Sequence, residues 1–264
     1  MKKIFILSLS FLLIFTVLGK MSSLHANPIT ITILYDNYLF SEGTKTDWGF
    51  SCIIEGIKKT ILFDTGAKSE IFFFNLNKLN VDPKKVEFVV ISHNHGDHTG
   101  GLFSFLNENN EVSVYLPQSF PDSFVKRVED AKAKVVSVDK PVEICKDVYL
   151  TGEMGIQIKE QSLILNTNRG LVVITGCAHP GIVNIVRRAK EVLDKDIYLV
   201  FGGFHLLRLP DNSIKEIIEQ FKEMGVLKVG ATHCTGDRAI ELFKEAYGEN
   251  YVKMGVGRVI SISD

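Results

Sequence analysis

His93-Asn94-His95-Gly96-Asp97-His98 carries four metal-ligating types of side chain within six residues. Alternate side chains of an extended chain point the same way, so His93 and His95 can bind one ion together. A turn at Gly96 then directs Asp97 and His98 toward a neighbouring position. With distant histidines added, one tetrahedral site would be overfilled, whereas two ions about 3.5–4 Å apart accommodate all of these ligands. The stretch therefore predicts a two-metal centre.

Similar polar residues follow apolar, strand-like runs elsewhere in the chain, where Gly-bearing loops begin. The runs and the residues that follow them are Thr60–Phe63 with Asp64, Val86–Ser92 with His93, Leu171–Thr175 with His179, Ile197–Phe201 with His205, and Lys228–Ala231 with His233. Six of the seven histidines lie at such strand ends, and the seventh is His25. Scattered surface histidines would not be distributed in this way. Because neutral imidazole is the commonest zinc ligand, the distribution supports a metal site.

The hydrophobic pattern indicates an α/β (α+β) protein. Strand-like runs dominate the first half, beginning at Ile29–Tyr35, and strands alternate with helix-like periodicity in the second half. Helices are predicted at Ser69–Leu79, Asp122–Ala131, Gly181–Leu193, Asn212–Met224 and Asp237–Tyr247. This mixture predicts sheets faced by helices in a single domain of residues 27–264.

The first 26 residues have the pattern of a secretory signal peptide. Lys2 and Lys3 precede the apolar run Ile4–Leu18, and Ala26 is a candidate cleavage point. Since Leu24-x-Ala26 is an imperfect cleavage motif, an uncleaved N-terminal anchor is the alternative. Either interpretation predicts a secreted or extracytoplasmic domain, with membrane contact only through that anchor.

Charge and cysteine content limit the classes of partner. Thirty basic residues against 31 acidic ones give a net charge of −1, and the first 26 residues hold three of the lysines and no acid. We therefore expect a small-molecule substrate rather than nucleic acid, although a local basic groove stays compatible with this charge. Four cysteines are too few and too scattered for a disulfide framework. Cys52 is expected in the core, and Cys145 in a turn-rich stretch. Oligomeric state has no signal in the sequence.

The series Asp64, His93-x-His95-x-Asp97-His98, His179 and His233 resembles the signature of the metallo-β-lactamase superfamily. The resemblance implies a four-layer αβ/βα sandwich with the site along one edge, between two β-sheets. It further implies two divalent metal ions, one bound by His93, His95 and His179, and the other by Asp97, His98 and His233. Zinc is expected, and manganese or iron is compatible with the same nitrogen and oxygen ligands. Asp64 would accept the N–H of a ligand histidine, or else be a turn aspartate before Gly66.

One segment departs from the superfamily pattern. Most members carry a metal-bridging aspartate where this chain has Gly202-Gly203-Phe204-His205. Either water or hydroxide alone bridges the ions, or His205 approaches them. His205 could instead act catalytically by transferring protons or binding substrate, or it could be a structural histidine. Loss of the carboxylate should weaken binding of the second ion.

Three segments, 176–181, 202–206 and 232–236, resemble a narrower branch of the superfamily. This branch is the 7,8-dihydropterin-6-methyl-4-(β-D-ribofuranosyl)-aminobenzene-5′-phosphate synthase-like group. Within these segments, Cys234 could tune a metal, but we expect it to pack against its neighbours.

Three functions are compatible with these features. The first is a metal-dependent hydrolase whose metal-bound hydroxide attacks an ester, phosphoester or related substrate. The second is a dihydropterin/aminobenzene ribofuranosyl phosphate synthase-like transferase, in which Lys45, Arg169 or Arg208 would bind phosphate. The secretory leader argues against it, because pterin intermediates are expected in the cytoplasm. The third is a non-catalytic extracytoplasmic metal-binding module. Nuclease activity and β-lactam hydrolysis are not expected.

Overall fold

A computed structural model describes residues 28–263 of the chain. The predicted signal peptide therefore lies outside the described residues. Within residues 28–263, no helix has both the length and the apolar character needed to cross a bilayer.

The first sheet has seven strands and carries the N-terminal half of the chain. In chain order they are β1 (Ile29–Tyr35), β2 (Ser51–Glu55), β3 (Ile61–Phe63), β4 (Phe88–Val90), β5 (Ser113–Pro117), β6 (Lys134–Val138) and β13 (Val259–Ile262). The spatial order is β13-β1-β2-β3-β4-β5-β6. Strands β3 to β6 run parallel, so their carboxyl ends lie along one edge.

The second sheet has six strands. They are β7 (Val142–Cys145), β8 (Val148–Leu150), β9 (Leu163–Thr167), β10 (Gly170–Thr175), β11 (Ile197–Gly203) and β12 (Lys228–Thr232), in the spatial order β12-β11-β10-β9-β8-β7. Strands β10, β11 and β12 are parallel, and the remaining pairs are antiparallel. This sheet also aligns several strand ends at one edge.

Helices cover the outer face of each sheet. Three helices follow strands of the first sheet, namely α1 (Ser69–Lys78), α3 (Leu102–Glu108) and α4 (Asp122–Asp130). Three more follow strands of the second sheet, namely α5 (Ile182–Val192), α6 (Asp211–Glu223) and α7 (Asp237–Tyr247). A single-turn helix, α2 (Gly96–Thr99), lies in the loop after β4. Helix α5 shows why these helices dock: Ile182, Ile185 and Val186 form one buried stripe.

The side chains of the central strands alternate between two hydrophobic cores. In β10, Val172 and Ile174 point into the core between the sheets, whereas Leu171 and Val173 pack under the helices of the second sheet. In β3, Phe63 points into the inter-sheet core and Leu62 packs under α1 and α3. Both faces of these central strands are buried, which explains their continuous apolar sequence. The layers form the four-layer αβ/βα sandwich implied by the resemblance, and the α/β prediction is confirmed.

Some elements were not predicted from sequence. Strand β13 has a clear alternation of exposed and buried residues, but over only four positions. Cys145 lies at the end of strand β7, so the turn-rich interpretation of its segment was wrong. Short elements of this kind are stabilised by pairing with neighbouring strands, and that pairing leaves little local signal.

Candidate metal centre

The carboxyl ends of parallel strands from both sheets meet at one edge and bring the predicted residues together. His93 follows β4, His179 follows β10 and His233 follows β12. Loops at these ends can converge without disturbing the core beneath them. Two adjoining clusters of potential ligands result.

The first cluster contains His93, His95 and His179. Their ring centroids lie 4.6 Å (His93 to His95), 4.8 Å (His93 to His179) and 4.9 Å (His95 to His179) apart. One nitrogen of each ring lies within 4.8 Å of the others. The Nε2 atoms of His93 and His179 are buried and have no hydrogen-bond partner among residues 28–263. Buried polar atoms are normally paired, so these lone pairs fit a cation.

The second cluster contains Asp97, His98 and His233. Asp97 Oδ2 lies 3.5 Å from His98 Nε2 and 3.4 Å from His233 Nε2. The rings of His93 and His98 are 4.2 Å apart, which places the two clusters side by side. One carboxylate and two imidazoles form a suitable set of ligands for a second divalent ion.

Outer hydrogen bonds orient three of the histidines. Asp64 Oδ2 accepts from Nδ1 of His98 at 2.7 Å, and from the hydroxyl of Ser92 at 2.7 Å. Since the Ser92 hydroxyl donates to Asp64, its oxygen accepts from Nδ1 of His93 at 2.9 Å. Asn37 Oδ1 lies 3.0 Å from Nδ1 of His233. In each case the Nδ1 contact leaves Nε2 directed toward the cluster, as in metal sites with ordered outer partners.

Glu160 holds the loop that carries His179. Its Oε1 accepts from the backbone N–H groups of Cys177 and Ala178, both at 2.9 Å, and its Oε2 accepts from the N–H of His179 at 2.9 Å. Burial raises the pKa of Glu160, although these three N–H groups act to lower it. A buried carboxylate therefore fixes the backbone of this ligand loop.

His205 lies at the exposed rim of the first cluster. Its ring centroid is 4.4 Å from that of His179, and a hydrogen bond with Cys234 raises its pKa. Cys234 itself lies with His205 and Cys177 in a third group of ligand-type atoms. The structure thus places both residues beside the clusters.

Close packing explains the glycines at the end of β11. A Cβ atom on Gly203 would lie 2.5 Å from the carbonyl oxygen of Gly176 and 2.7 Å from Sγ of Cys234. A Cβ on Gly202 would lie 2.0 Å from the carbonyl oxygen of Thr175. An aspartate fits at neither position without movement of the backbone, so no carboxylate from this strand reaches the clusters.

Electrostatics differ between the two clusters. Burial, reinforced by His205 and His95, lowers the pKa of His179 to about 4, and burial also lowers that of His93. Burial alone would lower the pKa of His98, but the carboxylates of Asp64 and Asp97 raise it to about 10. Burial acts to raise the pKa of Asp97, yet its hydrogen bonds with His233 and His98 lower it overall. The first cluster is neutral, and the second attracts positive charge.

Backbone strain is concentrated at these loops. Positive φ angles occur at Asp64 (53°), Ala178 (59°), His205 (54°) and His233 (49°), each at a strand end that carries site residues. Residues other than glycine adopt this region at a cost, and such strain is often found at functional sites.

A cavity of about 340 Å³ opens beside both clusters. It is lined by Trp48, His205, Leu207, Arg208 and Cys234. The ring of Trp48 lies 5.0 Å from that of His233. Of the three cations predicted to bind phosphate, Arg208 lines this cavity, whereas Lys45 lies over the ring of Phe74 and Arg169 over that of Tyr198.

Four residues at the centre were not assigned from sequence: Asn37, Ser92, Glu160 and Cys177. Ser92 and Cys177 flank predicted ligands, so their position was a usable signal. Asn37 lies 196 residues from His233, and Glu160 lies 19 residues from His179. Neither has a local pattern that indicates these contacts.

Comparison with known proteins places the chain in a family. Residues 49–237 match the profile described as the Metallo-beta-lactamase superfamily. The 7,8-dihydropterin-6-methyl-4-(beta-D-ribofuranosyl)-aminobenzene-5'-phosphate synthase of Methanocaldococcus jannaschii is 31% identical over 80% of this chain and 89% of its own length. The structure of Tm1679, described as a metal-dependent hydrolase of the beta-lactamase superfamily, superposes with a TM-score of 0.73 and 30% identity over 89% of this chain and all of that one. The Bacillus subtilis metallo-beta-lactamase fold protein YhfI shares the fold at 14% identity, with a TM-score of 0.66 over 89% of this chain and 99% of that chain. The chain belongs to the metallo-β-lactamase superfamily.

Proposed function

We propose that this protein is a metal-dependent hydrolase of small phosphoesters or related esters. The observation that carries the proposal is the position of one cavity beside both ligand clusters. A purely structural metal site would be closed by protein ligands, whereas a catalytic one keeps a position open to substrate. This arrangement disfavours the non-catalytic alternative.

The proposed ligands follow the two clusters. His93, His95 and His179 would hold one divalent ion, zinc in the first instance. Asp97, His98 and His233 would hold the other. When bound, such ions supply an activated water nucleophile and a Lewis acid. Ser92, Asp64 and Asn37 orient the ligand rings through their Nδ1 atoms.

The cavity walls indicate the class of substrate. Its volume suits a small molecule rather than a polymer. Trp48 and Leu207 supply apolar surface, and 48% and 59% of these side chains, respectively, are exposed. The Arg208 guanidinium suits a phosphate or carboxylate oxygen. His205 faces the same space, where we assign it proton exchange with the bound substrate.

A synthase-like transferase is the second candidate. It is favoured by the 31% identity with the Methanocaldococcus jannaschii synthase, which extends over 89% of that enzyme. Arg208 would bind phosphate in this case as well. Two points favour hydrolysis instead. Tm1679, which is 30% identical to this chain, is described as a hydrolase. We also propose an extracytoplasmic location, where pterin intermediates are not expected.

Assays of the zinc- or manganese-loaded protein would separate the two functions. One panel contains phosphodiesters, phosphomonoesters, carboxylic esters and lactones. The other reaction contains a dihydropterin with a pyrophosphate leaving group and the aminobenzene ribofuranosyl 5′-phosphate, with the product detected by mass spectrometry. Turnover of the panel that is abolished in His95→Ala supports the hydrolase. Coupled product without ester turnover supports the synthase, and inactivity in both assays contradicts the proposal.

A further inference from the structure

Four potential ligand atoms, rather than three, surround the position of the second ion. Asp97 Oδ2, His98 Nε2, His233 Nε2 and Cys177 Sγ all lie within 4.8 Å of one another. Cys177 is buried, as are both histidines. A complete set of four protein ligands is therefore present in the second cluster.

The separations of these atoms suit a tetrahedral ion. Cys177 Sγ lies 3.2 Å from His98 Nε2 and 3.4 Å from His233 Nε2. Asp97 Oδ2 lies 3.5 Å and 3.4 Å from the same two nitrogens. Bonds of about 2.0–2.3 Å to zinc correspond to ligand separations of about 3.3–3.8 Å in a regular tetrahedron. The observed edges fall in or close to this range.

These four atoms contact one another at the centre of the second cluster. The Nδ1 atoms of His98 and His233 face Asp64 and Asn37 oxygens, so in the neutral rings both Nε2 atoms carry lone pairs. Asp97 contributes a further acceptor. The thiol of Cys177 has one proton, which can serve only one of the two nitrogens. A bound metal ion would replace the protons that these atoms share in its absence and would bond to all four atoms at once.

The neighbouring thiol is placed differently. Cys234 Sγ is directed to the carbonyl oxygen of Cys177 at 3.6 Å and groups with His205. It lies outside the set formed by Asp97, His98 and His233. Glu160, in contrast, holds the backbone N–H of Cys177 at 2.9 Å and fixes the loop that presents its sulfur.

We infer that Cys177 is a thiolate ligand of the second metal ion. The inference rests on the metal binding proposed above and adds a ligand to it. Metal binding replaces the thiol proton, which leaves to solvent, and forms one metal–sulfur bond. A thiolate together with imidazoles selects zinc or iron(II) over magnesium and manganese at this position.

X-ray absorption at the metal edge tests the inference without an activity assay. The full chain is loaded with zinc, and separately with cobalt, as wild type, Cys177→Ser, Cys234→Ser and the control Cys145→Ser. Wild type, Cys234→Ser and Cys145→Ser are expected to show a sulfur neighbour about 2.3 Å from zinc. Their cobalt forms should show thiolate-to-cobalt charge-transfer absorption. Cys177→Ser should lose both signals and bind the second ion more weakly.

The outcomes distinguish the inference from the proposed function. Two bound ions with only nitrogen and oxygen neighbours in the wild type would overturn the thiolate ligand and leave the hydrolase standing. A sulfur signal that survives in Cys177→Ser and disappears in Cys234→Ser would also overturn it. Absence of any bound metal would overturn both. If Cys177→Ser does not fold, the spectra of the wild type and of Cys234→Ser test the inference. A sulfur neighbour of the metal that is retained in Cys234→Ser is then assigned to Cys177.

Discussion

The carboxylate of Asp64 lies 2.7 Å from Nδ1 of His98, and neither side chain is exposed to solvent. The same carboxylate accepts from both the backbone N–H and the hydroxyl of Ser92, at 2.7 Å each. Through Ser92 it also acts on His93. One buried acid, which ligates neither ion in our proposal, thus orients a ring in each cluster.

Replacement of Asp64 by Asn should weaken metal binding. The amide nitrogen cannot accept a hydrogen bond, so at least one contact to Ser92 or His98 is lost. Changes at such outer partners typically reduce metal affinity about 10–100-fold. Titration against a chromogenic chelator would measure the change, with the exposed Asp130→Asn as control. Unaltered affinity in Asp64→Asn would refute this role.

Replacement of Glu160 by Gln should disturb the loop of Cys177 and His179. The two oxygens of Glu160 accept three backbone N–H groups, and an amide nitrogen would face at least one of them. A buried unpaired donor costs about 1–3 kcal/mol of unfolding free energy. Urea denaturation would measure this loss, with the exposed Glu129→Gln as control. We also expect Glu160→Gln to bind metal more weakly than Glu129→Gln at a temperature where both variants are folded. A role of Glu160 in stability alone would not produce this difference in metal affinity.

Replacement of His205 by Gln should reduce turnover without removing metal. His205 faces the cavity and belongs to neither ligand cluster. Loss of a proton-transferring group typically lowers kcat about 10²-fold or more. Elemental analysis and a pH–rate profile would check this, since one limb of the profile should disappear. Loss of a bound ion would instead identify His205 as a ligand.

Replacement of Arg208 by Ala should affect anionic substrates selectively. Hydrogen bonds to charged groups contribute about 1.5–3 kcal/mol, so KM for phosphoesters should rise about 10-fold or more. Neutral esters should be unaffected, and Arg208→Lys should restore part of the effect. The control is Arg187→Ala on the exposed face of α5. Equal effects on neutral and anionic substrates would argue against a phosphate contact.

Metal binding should release protons at the second cluster but not at the first. His98, with a pKa of about 10, is protonated at pH 7 and must lose this proton to ligate through Nε2. His179, with a pKa of about 4, is already neutral. Affinity for the second ion should therefore rise with pH toward about 10. Calorimetry in buffers of different ionisation enthalpy would detect about two protons, one from His98 and one from the Cys177 thiol. About one proton should remain in Cys177→Ser, and no proton release from that variant would contradict the assignment to His98.

The same shifts predict the stability of the metal-free protein. The pKa of His98 is raised from 6.5, so its contribution to stability is complete below about 6.5 and disappears as pH rises through about 10. The pKa of His179 is lowered from 6.5, so its cost appears as pH falls from about 6.5 toward 4. Unfolding in chelator-treated samples should consequently become easier at both extremes. Added zinc should flatten the alkaline decline, because the ion replaces the His98 proton.

The architecture and most of the proposed centre could be predicted from the amino-acid sequence. Continuous apolar runs predicted most of the strands in both sheets, because both faces of the central strands are buried. The spacing His93-x-His95-x-Asp97-His98 predicted two adjoining groups of ligands, since the geometry of a short loop is local. The short elements β7, β13 and α3 left too little periodicity to be predicted.

The distant side chains that complete the centre could not be predicted, because they meet only when the two sheets pack together. Cys177 meets His98 across 79 residues of chain, and Asn37 meets His233 across 196. No periodicity encodes such contacts, because they depend on how the ends of two separate sheets face each other. The glycines at the end of β11 are a further example. The sequence shows that no carboxylate stands there, but the steric reason is visible only in the packing of neighbouring atoms around Gly203.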